Sequence, residues 1–194
     1  MSDDDVVTAN RTRALVVYES MFGNTMLVAA AVARGLARSG VDQDVIDLAE
    51  TTDPPSPPAG YDLLVVGAPT HAFSLSRTSS RRQAVEQGAP ADRAAHGLRE
   101  WLASLPRSGT QQSAATFDTR VATMRHLPGS AAVKAARLLR RHGHHLQERP
   151  RSFYVSGTEG PLVDGELARA EDWGASLGSR LLPPGPASPS AGRG

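Results

Sequence analysis

The chain has 194 residues, 40% of them apolar and 21% charged, with a formal net charge of +1. That length suits one domain with a sizeable core, and the near balance of charge excludes a general electrostatic pull toward nucleic acid. With no cysteine, disulfides, thiolate-held zinc, iron–sulfur clusters and a cysteine nucleophile are excluded as well.

Residues 1–12 are polar and acidic, without the basic-then-apolar order of a secretory signal, and are expected to be frayed. Residues 183–194 are rich in Pro, Gly, Ser and Ala and are expected to be disordered. The folded domain is expected over 13–182. No stretch approaches the roughly 18 apolar residues of a membrane span, so the default expectation is a cytoplasmic protein.

Ala14–Tyr18 reads as a buried strand and Thr25–Ser39 as a helix, with Leu27, Val28, Ala31, Val32 and Leu36 in its pattern. Gln43–Leu48 reads as a second strand, and the proline-rich 54–58 stretch as a linker. Leu63–Gly67 is a continuous apolar run, expected of a strand covered on both faces. Ser80-Arg81-Arg82-Gln83 fits a capping box that opens a short helix over 81–87, with Arg77, Arg81 and Arg82 on a solvated face. Leu98, Trp101, Leu102 and Leu105 mark a helical stripe, and Ser113–Phe117 a fourth strand. Ser130–Arg141 reads as a helix ended by Gly143, Ser152–Val155 as a fifth strand, and the stripe from Leu167 to Leu181 as the last helix. Trp101 and Trp173 sit on apolar stripes and are expected in the core. Strands alternating with helices predict an α/β domain with a parallel sheet covered on both faces, and ligands beyond the carboxyl ends of its strands.

Three loops at that edge carry the chemistry. In the first, Ser20 and Thr25 supply hydroxyls, while Gly23 and Asn24 tolerate a tight path into a helix. Strand, turn and helix N-terminus together suit a phosphate. No Lys or Arg lies between Arg13 and Arg34, so this is not a Walker loop, and the Gly-x-Gly-x-x-Gly dinucleotide pattern is missing. The other reading is a turn that only caps its helix. The second loop is Gly67-Ala68-Pro69-Thr70-His71-Ala72-Phe73, and the third is Phe117-Asp118-Thr119-Arg120. Gly157–Leu162, at the same edge, reads as a turn before the last helix, the other reading being a lining of the pocket rim. His142, His144 and His145 meet no further ligand at metal spacing and read as positive charge at a helix C-terminus. No Ser-His-Asp set is present, no metal site is expected, and no residue stands out as a catalytic acid or base.

The stretch Tyr18-Glu19-Ser20-x-x-Gly23-Asn24-Thr25, between strand and helix, resembles the FMN-phosphate loop of the flavodoxin family. The resemblance covers 13–182 and implies a flavodoxin-like, three-layer, doubly wound sheet of five parallel strands in the order 2-1-3-4-5. It implies FMN, with Ser20, Met21, Phe22, Gly23, Asn24 and Thr25 around the phosphate. Pro69, Thr70, His71, Ala72 and Phe73 would meet the flavin ring, with Phe73 or His71 as its flat cover where flavodoxins often have Trp. The third loop departs from most flavodoxins and looks like a subgroup with Phe-Asp-Thr-Arg here. In it Thr119 would bind the pyrimidine edge and Arg120 offset charge on reduced flavin, or Asp118 and Arg120 would pair to hold the loop. The implied work is electron transfer with a redox partner protein or a small electron acceptor. Flavodoxin shuttles are typically acidic. The near-neutral charge here favours an FMN-dependent reductase of a small acceptor such as a quinone. A third reading is a binding or regulatory module on this fold that no longer holds flavin.

Overall fold

The computed structural model describes residues 11–51, 60–107 and 112–182. The expectations for residues 1–10, for the 54–58 linker and for the tail 183–194 fall outside the described residues.

Six strands and five α-helices are present among the described residues: β1 Arg13–Tyr18, α1 Asn24–Arg38, β2 Asp42–Asp47, β3 Leu63–Pro69, α2 Thr78–Glu86, α3 Leu98–Ser104, β4 Ser113–Val121, α4 Ala131–Arg141, β5 His145–Leu146, β6 Arg151–Val155 and α5 Glu166–Ser179. The sheet is parallel, in the order β2-β1-β3-β4, with β5 and β6 both on the outer side of β4. β5 pairs with Ser113 and Ala114, and β6 with Phe117 through Val121. The expected fifth strand, Ser152–Val155, is β6, and an unexpected two-residue β5 shares its edge across residues 147–150. Pro150 has no N–H to give a ladder. The architecture is the expected doubly wound α/β sheet in the order 2-1-3-4-5.

Alternation along the central strands builds two cores. Val16, Val65, Phe117 and Phe153 face α1 and α5, where Trp173 meets both phenylalanine rings edge-on or tilted. Leu15, Val17, Leu64 and Val66 face α3 and α4, with Trp101 on that side. Helices α1 and α5 touch backbone to backbone: a Cβ on Gly35 would stand 2.0 Å from the Glu171 carbonyl oxygen, and one on Gly174 2.2 Å from that of Val32. Only hydrogen fits at either place.

Two local expectations change. Helix α2 starts at Thr78 and not Arg81; Ser80 is its third residue, accepting from the Arg77 N–H at 2.8 Å and donating to the Arg77 carbonyl. Arg81 is not on a solvated face. It is 2% exposed and donates to Ser76, Glu100 and the Ala94 carbonyl, because α2 rolls this side chain over the start of α3. Arg77 and Arg82 are exposed.

Candidate functional site

The carboxyl ends of β1, β3 and β4 meet where the strand order reverses. β1 passes directly into the first loop, whose start is tied to β3 by the Glu19 N–H on the Gly67 carbonyl at 3.0 Å. Ser20 and Met21 are buried. Gly23 takes a left-handed φ of 83°, which turns the chain so that α1 begins at Asn24. Helix α1 has no acidic residue in its first turn and no side-chain cap on Gly23. The Met26 N–H donates to Ser20 Oγ at 3.3 Å, while the Asn24 and Thr25 N–H groups meet no acceptor among the described residues. Free N–H groups at the positive end of a fifteen-residue helix form a site for an anion.

A cavity of about 220 Å³ opens at this point. Ser20, Met21, Phe22, Asn24 and Thr25 line it from the first loop, and Pro69, Thr70, His71 and Ala72 from the second. Thr119 and Arg120 close it from β4. A second cavity, of about 280 Å³, shares Thr70, Ala72, Arg120, Val121 and Met124 with the first and ends at Phe73. The two form one trough, running from the α1 N-terminus to a half-exposed phenyl ring. Gly23 and Asp118 do not line it. Gly23 acts through its backbone. Asp118 is fully buried below the second loop, accepting from Thr70 Oγ1 at 2.9 Å and the Ala132 N–H at 3.1 Å.

The third loop is not a loop. Asp118, Thr119 and Arg120 extend β4, because β3 pairs with it on one side and β6 on the other as far as Val121. Alternation then sends Thr119 toward α1, where its hydroxyl meets that of Thr25 at 2.8 Å. Asp118 and Arg120 do not pair. The guanidinium of Arg120 donates to the carbonyls of Met124 and Leu127 at 2.6 and 3.1 Å, and its Nε is buried without a partner.

The second loop is a tight turn. His71 and Ser74 exchange both backbone hydrogen bonds at 2.9 Å. Ala72 and Phe73 between them have φ of 45° and 62°, the left-handed pair of a type I′ turn. Non-glycine residues adopt it at a cost, and such strain clusters at ligand sites. His71 Nε2 is buried without a partner. Burial, and then the nearby charge of Arg81, hold its imidazole below the ordinary range, so the ring is neutral at pH 7.

Three trough residues carry no clear sequence signal of their own, Val121, Met124 and Val155; a fourth, Thr158, lies in the stretch read as a turn or pocket rim. Val121 ends β4, and Met124 lies on the short helical turn that follows it. Thr158 belongs to the 157–162 turn, and Asn24 Nδ2 fastens that turn to the first loop by donating to the Glu159 carbonyl at 2.8 Å. The histidines after α4 differ from expectation: His144 is buried, and burial with His142 beside it pushes its imidazole down, away from a charged role. No group of three or more metal-ligating side chains is present among the described residues, and no helix among them is long and apolar enough to cross a membrane.

The trough can take a phosphate monoester at one end and a flat, mostly apolar group at the other. The sequence model of the flavodoxin family matches residues 16–102, which hold the first two loops. Comparison with curated protein sequences gives no match. Among solved structures, the fold is similar to a flavodoxin from the domain Archaea, at 19% identity and a TM-score of 0.57 over 88% of this chain and 99% of that one. It is also similar to oxidised flavodoxin 1 from Bacillus cereus (17% identity, TM-score 0.58, 86% and 97% of the two chains). A flavodoxin, WrbA-like protein from Agrobacterium tumefaciens aligns at 16% identity with a TM-score of 0.54, over 88% and 97% of the two chains. The chain thus shares the sequence pattern of the flavodoxin family over 16–102 and a flavodoxin-like fold across the described residues.

Proposed function

We propose that this chain holds FMN in the trough and uses it to reduce a small acceptor such as a quinone. The observation that carries the reading is the α1 N-terminus. Its free Asn24 and Thr25 N–H groups open at one end of a trough whose far end is Phe73. The residues present fit the group. Ser20, Met21, Phe22, Gly23, Asn24 and Thr25 would hold the phosphate by hydrogen bonds and helix dipole, with no cation needed. Pro69, Thr70, His71, Ala72 and Phe73 would border the ring, and Thr119 and Arg120 would line the side between them. The unpartnered buried Nε2 of His71 and Nε of Arg120 are polar atoms that a ring with carbonyl and nitrogen edges would satisfy.

When bound, FMN supplies the electron chemistry. The chain's work is to bind, orient and exclude water. The neutral His71 ring can donate or accept at Nε2, according to its tautomer. Arg120, pinned by two carbonyls, keeps a fixed positive charge beside the trough, where it favours negative charge on a bound group. Asn24, by holding the Glu159 carbonyl, draws the 157–162 turn over the phosphate end.

The choice of reductase over shuttle rests on charge. Lys134, Arg137, Arg140 and Arg141 lie on α4, which has no acidic residue, and the whole chain is near neutral. An acidic shuttle face would need the opposite. Titration of the purified chain with FMN tests the reading: flavin absorbance that stays with the protein, and steady NAD(P)H-to-quinone turnover, are expected. Electron exchange only with a partner reductase would point to a shuttle. A colourless protein that takes up no FMN would leave a binding module.

A further inference from the structure

The turn at His71–Ser74 borders the trough in a conformation that its own residues disfavour, since neither Ala72 nor Phe73 is glycine and both have positive φ. Something outside the turn must hold it. The structure shows two anchors, one at each end.

At the leading end stands Asp118. Its Oδ2 accepts from Thr70 Oγ1 at 2.9 Å and from the Ala132 N–H at 3.1 Å, and Thr70 Oγ1 in turn accepts from the Ala131 N–H at 2.9 Å. A fully buried carboxylate therefore sits at the N-terminus of α4 and draws the Thr70 hydroxyl to it. The first-turn N–H of Val133 goes to Ser130 Oγ at 3.1 Å, so Thr70, Asp118 and Ser130 take the first three N–H groups of α4 in turn. Thr70 gives its only hydroxyl proton to this bond. It has none left for a ligand, and its backbone is fixed besides by its N–H on the Thr119 carbonyl at 2.8 Å.

At the trailing end stands Arg99, from α3. Its guanidinium donates to Ser74 Oγ at 3.2 Å, to the Leu75 carbonyl, and through Nε to the Ser76 carbonyl at 2.8 Å. One planar, half-buried side chain thus grips three successive residues just after the turn. Underneath, Gly129 leaves room for the turn: a Cβ there would come within 2.6 Å of the Phe73 carbonyl oxygen.

We propose that Asp118 and Arg99 are positioning residues for the second loop: from opposite ends, they hold the Ala72–Phe73 turn in its left-handed form beside the trough. Neither touches the trough. Asp118 acts through Thr70, and Arg99 through Ser74–Ser76. This assignment rests on the flavin reading only where an affinity is measured.

The test is native-state amide hydrogen exchange on the full-length, flavin-free chain and its D118A, R99A and T70V variants. In the wild type the His71 and Ser74 N–H groups are protected by each other's carbonyls. Each variant is expected to speed exchange at these two amides by about tenfold or more, as local opening without global unfolding does, while Val16 and Val65 in the central strands stay unchanged. Adding Ala72→Gly, which removes the left-handed penalty at one position, is expected to restore much of the lost protection. In parallel, D118A and R99A are expected to weaken FMN and riboflavin by the same factor, since the phosphate end is untouched. Unchanged exchange at His71 and Ser74, or an equal rise in the central strands, overturns the positioning role. If the wild type takes up no flavin, the functional reading falls, and the exchange data still decide the clamp.

Discussion

The hydroxyls of Thr25 and Thr119 stand 2.8 Å apart and share one hydrogen bond, joining the first helical turn of α1 to the end of β4. Both are buried and both line the trough. Whichever hydroxyl donates to the other, the pair keeps one proton to offer a ligand. The two residues therefore act as a unit. T25V and T119V are each expected to weaken FMN by about 1.5–3 kcal/mol, the range for a hydrogen bond to a charged group. The double variant is expected to lose clearly less than the sum. A double-mutant cycle on FMN affinity checks this, and strict additivity contradicts it.

The α1–α5 contact predicts a stability effect far from the trough. Gly→Ala in a helix interior normally stabilises by about 1 kcal/mol. At Gly174 the new methyl would meet the Val32 carbonyl oxygen at 2.2 Å, backbone against backbone. G174A is expected to lower stability by about 1–3 kcal/mol through overpacking, and G35A likewise. Urea unfolding of the two variants measures it; a neutral or stabilising result removes the close-packing account.

Glu19 follows β1 and is 2% exposed. Its Oε2 accepts from the Leu98 N–H at 2.8 Å, while Oε1 is buried without a partner. Burial pushes its carboxyl above the ordinary range, against the lowering pull of Ser76, the Leu98 amide and Arg81. The folded chain thus binds this proton more tightly than the unfolded chain. The cost of ionising it in place grows as pH rises above the ordinary carboxyl value of 4.5. E19Q keeps the acceptor and removes the charge. It is expected to raise Tm at pH 7 and to lose that advantage near pH 4. A lower Tm at pH 7 would contradict this cost of ionising Glu19 in place.

Two imidazoles, His144 buried and His71 half-buried, give a pH dependence of the opposite sign. His71 and His144 are both lowered by burial, with Arg81 and His142 adding to the respective shifts. Below the ordinary value of 6.5 the unfolded chain therefore takes up more protons than the folded one. Their contribution to stability is present above that value and is lost as pH falls through it. Chemical denaturation between pH 7 and pH 5 is expected to show a decline that flattens in H144Q. An unchanged slope in H144Q would place the effect elsewhere.

Much of this was legible in the sequence. Ala14–Tyr18 and Leu63–Gly67 read as buried strands because both faces are covered, and the first loop read as a phosphate site because strand, glycine turn and helix follow within a few residues. What stayed hidden depended on pairing between distant segments. Asp118–Arg120 looked like a loop until β3 and β6 were seen to extend β4 on both sides. β5 was missed because two residues make no period. Arg81, in a run of exposed arginines, is buried because Ser76, the Ala94 carbonyl and Glu100 of α3, at 3.1 Å, accept its N–H groups. Arg99 gave no signal at all, since its partners, the Ser74 hydroxyl and two backbone carbonyls, lie in a distant loop.

The most direct measurement is a parallel titration of the purified chain with FMN and with riboflavin, followed by quenching of flavin fluorescence, for the wild type and S20A. A phosphate held at the α1 N-terminus predicts that FMN binds more tightly than riboflavin and that S20A narrows the gap by weakening FMN alone. No uptake of FMN, or equal affinity for the two flavins, would contradict it.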